Sequence, residues 1–430
     1  MQTTGAVVAG AAMASTIPSR VLGANDKLRV AIMGANNRGA ALYGEFCKNK
    51  NAEVAYICDV DSRVVERSLA DCKELQGKEP KGTDDFRRAL DDKDVDALVV
   101  AAPDHWHAPA ALMGLKAGKH VYVEKPCGHN PGEGEMLVAA QKKYGRIVQM
   151  GTQQRSSHQT IDALQKLWDG IIGRPYFAKA WYDNNRGSIG VGKVAPVPEW
   201  LNYELWQGPA PRVPYRDNVI HYNWHWFWRW GTGESCNNAT HEMDLARWAL
   251  GVDFPVKVTS AGGRFHYQDD WEFYDTQVMS FEFEENKAIS WEGRSCSGFG
   301  LENRGRGTLI HATEGTLLID RNGHEFYDKQ NKLISKFEED EANATLDIRG
   351  AGMMDTLHVD NFIKAVREGE KPHAPIEEGH KSVLLCHLGN IAQYTGRTLY
   401  LDPRTGHIVG DSEAMAMWDR DYEPGWEMRV

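Results

Sequence analysis

From Lys27 onward, short apolar runs rich in β-branched residues recur, with longer mixed stretches between them. "LRVAIMG" from Leu28, "EVAYICD" from Glu53, "DALVVAAP" from Asp96, "HVYVEKP" from His120 and "RIVQMG" from Arg146 have strand length, and the intervals are long enough for helices. This alternation predicts a parallel sheet covered on both faces. After Gly151 the rhythm changes. "PYFAKAWYD", "VKVTSAGGRFHY", "TQVMSFEFEE", "AISWEGRSC", "TLIHATEGTLLID" and "HEFYD" follow with little helix between the later ones, which predicts a largely antiparallel open sheet. Helical patterns around Met354 to Arg367 and Glu377 to Gln393 are expected to close that second domain. The tail beyond Pro403, with Trp418 and Trp426, is expected to dock on the body. No internal repeat, low-complexity block or flexible linker interrupts the chain.

The fold class is therefore α/β, with an N-terminal parallel sheet and a C-terminal α/β domain built on the open sheet. The expected divisions are a signal-like segment (1–26), a nucleotide-binding domain (27–150), a substrate-binding and oligomerisation domain (151–405) and a tail (406–430). A chain of 430 residues exceeds what one hydrophobic core usually supports, in keeping with two domains. The net charge of −11 repels phosphate backbones, and no Lys/Arg block offsets it, so nucleic acid is not an expected partner. Seven cysteines without a C-x-x-C pair suggest neither a disulfide framework nor a zinc ribbon.

The N-terminal segment reads differently. An Ala/Val/Gly-rich run leads to Ala12-Met13-Ala14, a small-x-small triplet of the kind that precedes signal-peptide cleavage. The run is too short to span a bilayer. It resembles the remainder of a twin-arginine signal without its arginine pair, which implies a periplasmic or otherwise exported protein; a disordered arm on a cytoplasmic protein is the alternative.

"VAIMGANNRGAA" follows the first strand, with Gly34 and Gly39 at the first and third glycine positions of G-x-G-x-x-G and Asn36 in the middle. Such a strand-to-helix turn aims backbone N–H groups and a positive helix end at a pyrophosphate, as in Rossmann domains. Asn tolerates left-handed backbone better than most side chains but leaves less room than glycine. Asp59 ends the second strand 25 residues after Gly34, where a carboxylate would hold ribose hydroxyls and repel a ribose phosphate, favouring NAD over NADP. The alternative, an Asp capping the next helix, suits Asp61 better.

Three further motifs, "EKP" at Glu124 to Pro126, "PDHWH" at Pro103 to His107 and "GTQQR" from Gly151, together with "EEGHKSVLLCHLGNIA" near the C-terminus, resemble the Gfo/Idh/MocA oxidoreductases from Lys27 to about Leu401. The resemblance implies a Rossmann domain for a nicotinamide cofactor, with Asn37, Arg38, Pro103, His107 and Glu124 beside it. It also implies an open-sheet domain carrying the substrate pocket and often the oligomer interface, a dimer or tetramer here. Lys125 of EKP is then expected beside the reacting hydroxyl. A partly desolvated ammonium near a cationic ring has a lowered pKa, suited to polarising or deprotonating an alcohol. In "WGTGESCNNATHEMDLARWALG", His241 matches the family histidine. Four residues earlier stands Asn237 where many relatives have aspartate; Asn orients a ring without supplying charge.

"HYNWHWFWRW" from His221 to Trp230 precedes that loop. Aromatic faces pack on the C–H faces of sugars, which suits a carbohydrate site including Tyr222 and Trp224, whereas a Trp-rich core or subunit interface accounts for most of these rings. Arg155, Asp183, Asn184 and Arg186 are further substrate candidates by position. His221, His225, His241 and Glu242 match no strong metal signature, so no metal is expected. The leading expectation is an NAD-dependent oxidoreductase taking hydride from a sugar or glycoside, with Lys125 or His241 in proton transfer. The alternatives are a redox-neutral glycoside hydrolase acting by oxidation, elimination, water addition and re-reduction, an enzyme passing hydride between two sugars, and a non-catalytic sugar sensor.

Overall fold

The computed structural model describes residues 26–338 and 352–430; the signal-like segment up to Asn25 lies outside them. In the N-terminal part, strands and helices alternate as β1 (Leu28–Met33), α1 (Asn37–Lys48), β2 (Ala52–Cys58), α2 (Ser62–Gln76), β3 (Lys81–Thr83) and α3 (Arg87–Asp91). They continue as β4 (Ala97–Val100), α4 (Asp104–Lys116), β5 (His120–Val123), α5 (Pro131–Tyr144) and β6 (Val148–Met150). All five sequence-predicted strands are present. β3 was not legible, because its three residues, two of them exposed, carry no alternation. Among the described residues the strands form one parallel sheet in the order β3-β2-β1-β4-β5-β6. The order reverses beside β1, and in such sheets ligands bind outside the carboxyl ends of the strands there.

The second part contributes α6 (His158–Trp168), β7 (Pro175–Asp183), α7 (Tyr203–Gln207), α8 (Thr240–Leu250), β8 (Lys257–Gly263), β9 (Thr276–Phe283) and β10 (Lys287–Arg294). It ends with β11 (Arg306–Ala312), β12 (Gly315–Ile319), β13 (Gly323–Asp328), β14 (Leu333–Glu338), α9 (Met353–Glu368), α10 (Ile376–Thr395) and β15 (Leu399–Tyr400). The described strands pair in the order β14-β13-β12-β11-β7-β10-β9-β8-β15, antiparallel except for β7 beside β10. One face is sealed: Met279, Phe281, Ile289 and Trp291 pack with Met243 of α8 and Leu384 and Leu388 of α10. On the other face Val278 and Tyr400 are exposed. "TLIHATEGTLLID", read as one run, folds back on itself into β11 and β12, with Ala312 opposite Gly315.

Helix α9 departs from expectation. Rather than closing the second sheet, it lays Val359, Phe362 and Ile363 on the first sheet among Val30, Val99 and Tyr122, with Phe46 and Phe362 edge to face. Its apolar stripe announces burial, but periodicity does not say against which layer. The C-terminal tail also crosses to the first part. Trp418 donates to Glu135, Arg420 pairs with Glu133, and Trp426 meets Trp106 edge to face at 5.2 Å.

Among the described residues no helix is long and apolar enough to cross a membrane. The seven cysteines are buried and free.

Candidate active site

A cavity of about 780 Å³ opens at the carboxyl ends of the parallel strands and extends to the second sheet. Gly34 and Asp59 line one end; Lys125, His241, Tyr182 and Arg306 line the other. The glycine turn is built for close approach. Gly34 has φ +80°, and a Cβ there would meet the Ala101 carbonyl oxygen at 2.7 Å; a Cβ on Gly39 would lie 1.8 Å from the Gly34 oxygen. Gly39 thus lies beneath the turn and lets α1 press against it, while Gly34 faces the cavity. The asparagine with positive φ is Asn37, at +36°, and not Asn36, which is extended and accepts a hydrogen bond from Arg67. Asn36 spends its side chain on α2, so the following asparagine makes the turn into the helix.

Asp59 accepts hydrogen bonds from the backbone N–H of Ala35 (2.8 Å) and of Asp61 (3.0 Å), tying the end of β2 to the turn. Burial raises its pKa, and those two donors oppose the rise. Asp61, as its position suggested, caps α2 by accepting from the Arg63 N–H. Pro103 starts α4, and His107 one turn on places its ring nitrogens 2.5 Å from the Pro126 oxygen and 2.7 Å from the Ala102 oxygen, joining two βα turns at the cavity wall.

Lys125 follows β5, and the Lys125–Pro126 peptide is cis. Its ammonium donates to the backbone oxygen of Asn237 (2.6 Å) and to Asn237 Oδ1 (2.9 Å). Burial lowers its pKa from 10.5, against the attraction of Glu124 and Asp104. Glu124 holds Arg38 at 2.7 Å, and Arg38 reaches on to Asp355 of α9 at 2.5 Å. Arg38 therefore faces the cavity already paired with two carboxylates. Gly151 makes room for this cluster, since a Cβ there would lie 2.6 Å from the Glu124 carboxylate.

His241 opens α8 after a π-helical turn, Ser235–Ala239. Its ring lines the cavity and makes no hydrogen bond with the described residues. Burial, with Arg321 and Lys125 nearby, holds its pKa well below 6.5, so it is a neutral imidazole able to accept a proton. The expected Asn237–His241 dyad is not formed. The π turn inserts an extra residue into the helical ring, so four residues no longer bring two side chains onto one face, and Asn237 turns to Lys125 instead.

The remaining substrate candidates divide. Arg186 is held by Glu234 at 2.7 Å and donates to the Tyr222 hydroxyl at 3.0 Å, both at the cavity. Trp224 stacks on the His225 ring at 3.6 Å, and both line the cavity. Asn184 donates to the Tyr182 hydroxyl at 2.7 Å. Asp183 lines the cavity with its carboxylate committed to Arg294 at 2.8 Å. Arg155 is a correction: it does not reach the cavity, because Asp244 takes its guanidinium at 2.7 and 2.8 Å inside the protein. Most of the aromatic run is core, with Trp226 stacked on Trp271 at 3.9 Å and Phe227 and Trp230 in an apolar cluster. The four histidine and glutamate positions weighed for a metal separate: His221 pairs with Asp61, His225 with the Tyr222 carbonyl and Glu242 with Arg306.

Residues not anticipated from sequence include Glu234, which accepts from Arg186, Asn237, Asn238 and Ser295, and Arg306, bidentate on Glu242. Tyr182, Asp104, Asp355 and Arg321 also line the cavity. Glu234 lies in the same glycine-rich loop as His241 and was open to the same reasoning. Arg321 stands in "DRNG", which reads as an ordinary solvent-facing turn.

Residues 28–152 match the oxidoreductase family with an NAD-binding Rossmann fold, and residues 205–400 match the C-terminal alpha/beta domain of that family. The chain belongs to the Gfo/Idh/MocA oxidoreductase family. A glycosyl hydrolase family 109 protein of Saccharopolyspora erythraea is 29% identical over 208 residues, spanning 45% of this chain and 45% of that protein's length, so less than half of that relative is matched. Glycosyl hydrolase family 109 protein 1 of Akkermansia muciniphila is 22% identical over 386 residues, 82% of this chain and 76% of its own. Levoglucosan dehydrogenase, solved with NADH and levoglucosan, superposes with a TM-score of 0.67 at 18% identity, covering 87% of this chain and 99% of its own, a likeness of fold.

Within this NAD-binding Rossmann domain the residues fit the cofactor. The turn at Gly34 has no room for a Cβ, Asp59 stands at the end of β2 with its carboxylate already oriented, and the crevice lies at the reversal of strand order.

Proposed function

We propose that the protein is an NAD-dependent oxidoreductase acting on a sugar or glycoside, with Lys125 and His241 as the proton-transfer groups. The observation that carries this reading is that both side chains open into the cavity whose other end is the Gly34 turn and Asp59. NAD, held by the Gly34 turn and Asp59, supplies a hydride acceptor for a carbinol C–H. Lys125, oriented by Asn237 and lowered in pKa by burial, takes or returns the proton of the substrate hydroxyl. His241, neutral and without a hydrogen-bond partner among the described residues, is the second base. Tyr222, Trp224 and Arg186 supply a polar and aromatic wall of the sort that seats a sugar ring.

A second reading, redox-neutral glycoside hydrolysis, is favoured by the way the cofactor end is covered. The long connection from β7 to α8 reaches back to α2: the Ser62 N–H donates to the Trp200 oxygen, the Asn202 N–H to the Val60 oxygen, and His221 pairs with Asp61 at 2.9 Å. A strap over that end supports a cofactor retained between turnovers, and relatives named as glycosyl hydrolases agree with it. In this reading the carbinol carbon would give a hydride to NAD held at the Gly34 turn and Asp59 and later receive it back; between the two transfers His241 would remove the proton next to the oxidised carbon, the anomeric substituent would leave as its protonated form, and water would add in its place. The test uses nitrophenyl glycosides without added NAD. Phenol release with no net absorbance change from reduced nicotinamide supports hydrolysis; accumulation of reduced nicotinamide on NAD addition supports dehydrogenation; neither, across a panel of sugars, rejects both.

We further propose export, on the Ala12-Met13-Ala14 triplet, and a homo-oligomer through the uncovered face carrying Val278 and Tyr400. N-terminal sequencing of the protein from its own cells and light scattering of the purified chain test these two points.

A further inference from the structure

Arginines buried or half-buried around the site come with carboxylates. Arg38 holds Glu124, Arg155 holds Asp244, Arg186 holds Glu234, Arg247 holds Glu378 and Arg306 holds Glu242. Arg321 does not. Its side chain lines the cavity, its Nε is shut off from solvent, and it has no hydrogen-bond or ion-pair partner among the described residues. A guanidinium partly withdrawn from water gains when a ligand answers its charge.

The turn that carries it is fixed. Asp320 accepts from the N–H groups of Asn322 (2.7 Å) and Gly323 (3.0 Å), and its carboxylate also pairs with Arg304 at 2.8 Å. Arg321 is therefore presented from a braced hairpin between β12 and β13. It lies close enough to His241 and Lys125 to depress the pKa of both, and its own pKa falls to about 10 through burial and the neighbouring Arg306, against the attraction of Glu242 and Asp355. The guanidinium stays charged at neutral pH. The cavity thus holds two cations, Arg321 and Lys125, without a direct carboxylate partner among the described residues, with Glu242 and Asp355 acting on Arg321 from further off, and Asn322 beside Arg321 leaves its Oδ1 buried and unpartnered among the same residues.

We infer that Arg321 receives the carboxylate of the substrate, so that the sugar processed here is an acid of the uronic type. With its Nε shut off, the guanidinium offers the cavity its two Nη groups, which no described residue engages and which form parallel donors matched to the two carboxylate oxygens. A neutral sugar leaves the charge unanswered, so discrimination arises from the vacancy as much as from the new bond. This inference rests on the carbohydrate reading above and narrows it to a substrate class.

The experiment is calorimetric titration of the full-length, NAD-loaded protein with methyl glucuronide and methyl galacturonide, against methyl glucoside and methyl galactoside. The acids are expected to bind roughly 10- to 100-fold more tightly than their neutral counterparts. Arg321→Gln is expected to abolish that preference with NAD content unchanged, and Arg321→Lys to keep part of it. Equal affinity of acid and neutral sugars in the wild type overturns the inference without touching the oxidoreductase reading. So does a preference that survives Arg321→Gln, or a variant that sheds NAD while its preference persists, since the arginine would then serve the cofactor. Failure of all four sugars to bind sinks the carbohydrate reading itself. The wild-type comparison is decisive even if a variant does not fold.

Discussion

The Lys125 ammonium donates to both oxygens of Asn237, the backbone carbonyl at 2.6 Å and the side-chain Oδ1 at 2.9 Å, and so sits fixed by two neutral acceptors. Neutral acceptors orient an ammonium without the full stabilisation a carboxylate gives its charge, and burial then keeps its pKa below 10.5. Asn237→Asp adds that carboxylate. The charged form is favoured, the lysine pKa rises, and the acidic limb of the kcat/KM profile moves to higher pH when Lys125 acts as base. A pH–rate comparison of the two proteins checks this, and superimposable profiles would take the pair out of the rate-limiting proton transfer.

Lys125→Ala removes the proposed proton carrier without touching the glycine turn. Turnover is expected to fall by roughly 10²- to 10⁴-fold with NAD content preserved. Steady-state rates on the active nitrophenyl glycoside, alongside mass spectrometry of released NAD, separate this from loss of cofactor; undiminished turnover removes Lys125 from the chemistry.

Asp59→Ala has two expected effects, because the carboxylate both faces the crevice and pins the Ala35 N–H. NAD affinity should drop as the turn loosens, and the ratio of NADP to NAD affinity should rise as the repulsion of a ribose phosphate disappears. Fluorescence titration with both cofactors measures the two quantities; an unchanged ratio means that the carboxylate faces elsewhere.

Much of this site was open to reading from the chain. Gly34, Asp59 and Lys125 stand at strand ends that periodicity locates, whereas the role of Lys125 and the choice of His241 came from the resemblance to the family's motifs. Asn237 was legible as a neighbour but assigned the wrong partner, because a π turn leaves no mark in hydrophobic spacing. Arg155 illustrates the limit from the other side: "GTQQR" places it near the crevice, but its direction is set by Asp244, 89 positions along the chain. Arg321 and Asp355 come from distant turns and from a helix that crosses to the other sheet, contacts that only tertiary packing creates.

Arg155→Ala tests that reassignment. Removing one member of a buried, bidentate pair leaves Asp244 without its cation and should cost about 3–5 kcal/mol of stability. The expected signature is a lower Tm or denaturation midpoint with kcat/KM of the folded fraction nearly unchanged. A large loss of kcat/KM with stability intact would return Arg155 to the substrate site.

Stability itself should depend on pH through the buried histidines. Burial lowers the pKa of His105 to about 3 and of His120, His358 and His380 to about 4, and holds His225 and His241 well below 6.5. The sign follows from proton uptake. Below pH 6.5 the unfolded chain binds protons on these rings while the folded chain does not, so acidification favours unfolding until the folded-state pKa of each ring is reached. Each ring contributes up to about 1.4 kcal/mol of loss per pH unit in that window. Denaturation curves are expected to be flat in this contribution above pH 7 and to show a steep loss between 6.5 and 5. His358 is a suitable probe, because it is fully buried between Ser156 and the Met150 carbonyl and lines no part of the cavity. His358→Asn lowers stability at pH 8 but should flatten the slope below 6.5, and an unaltered slope would show that its ring does not stay neutral in the folded protein.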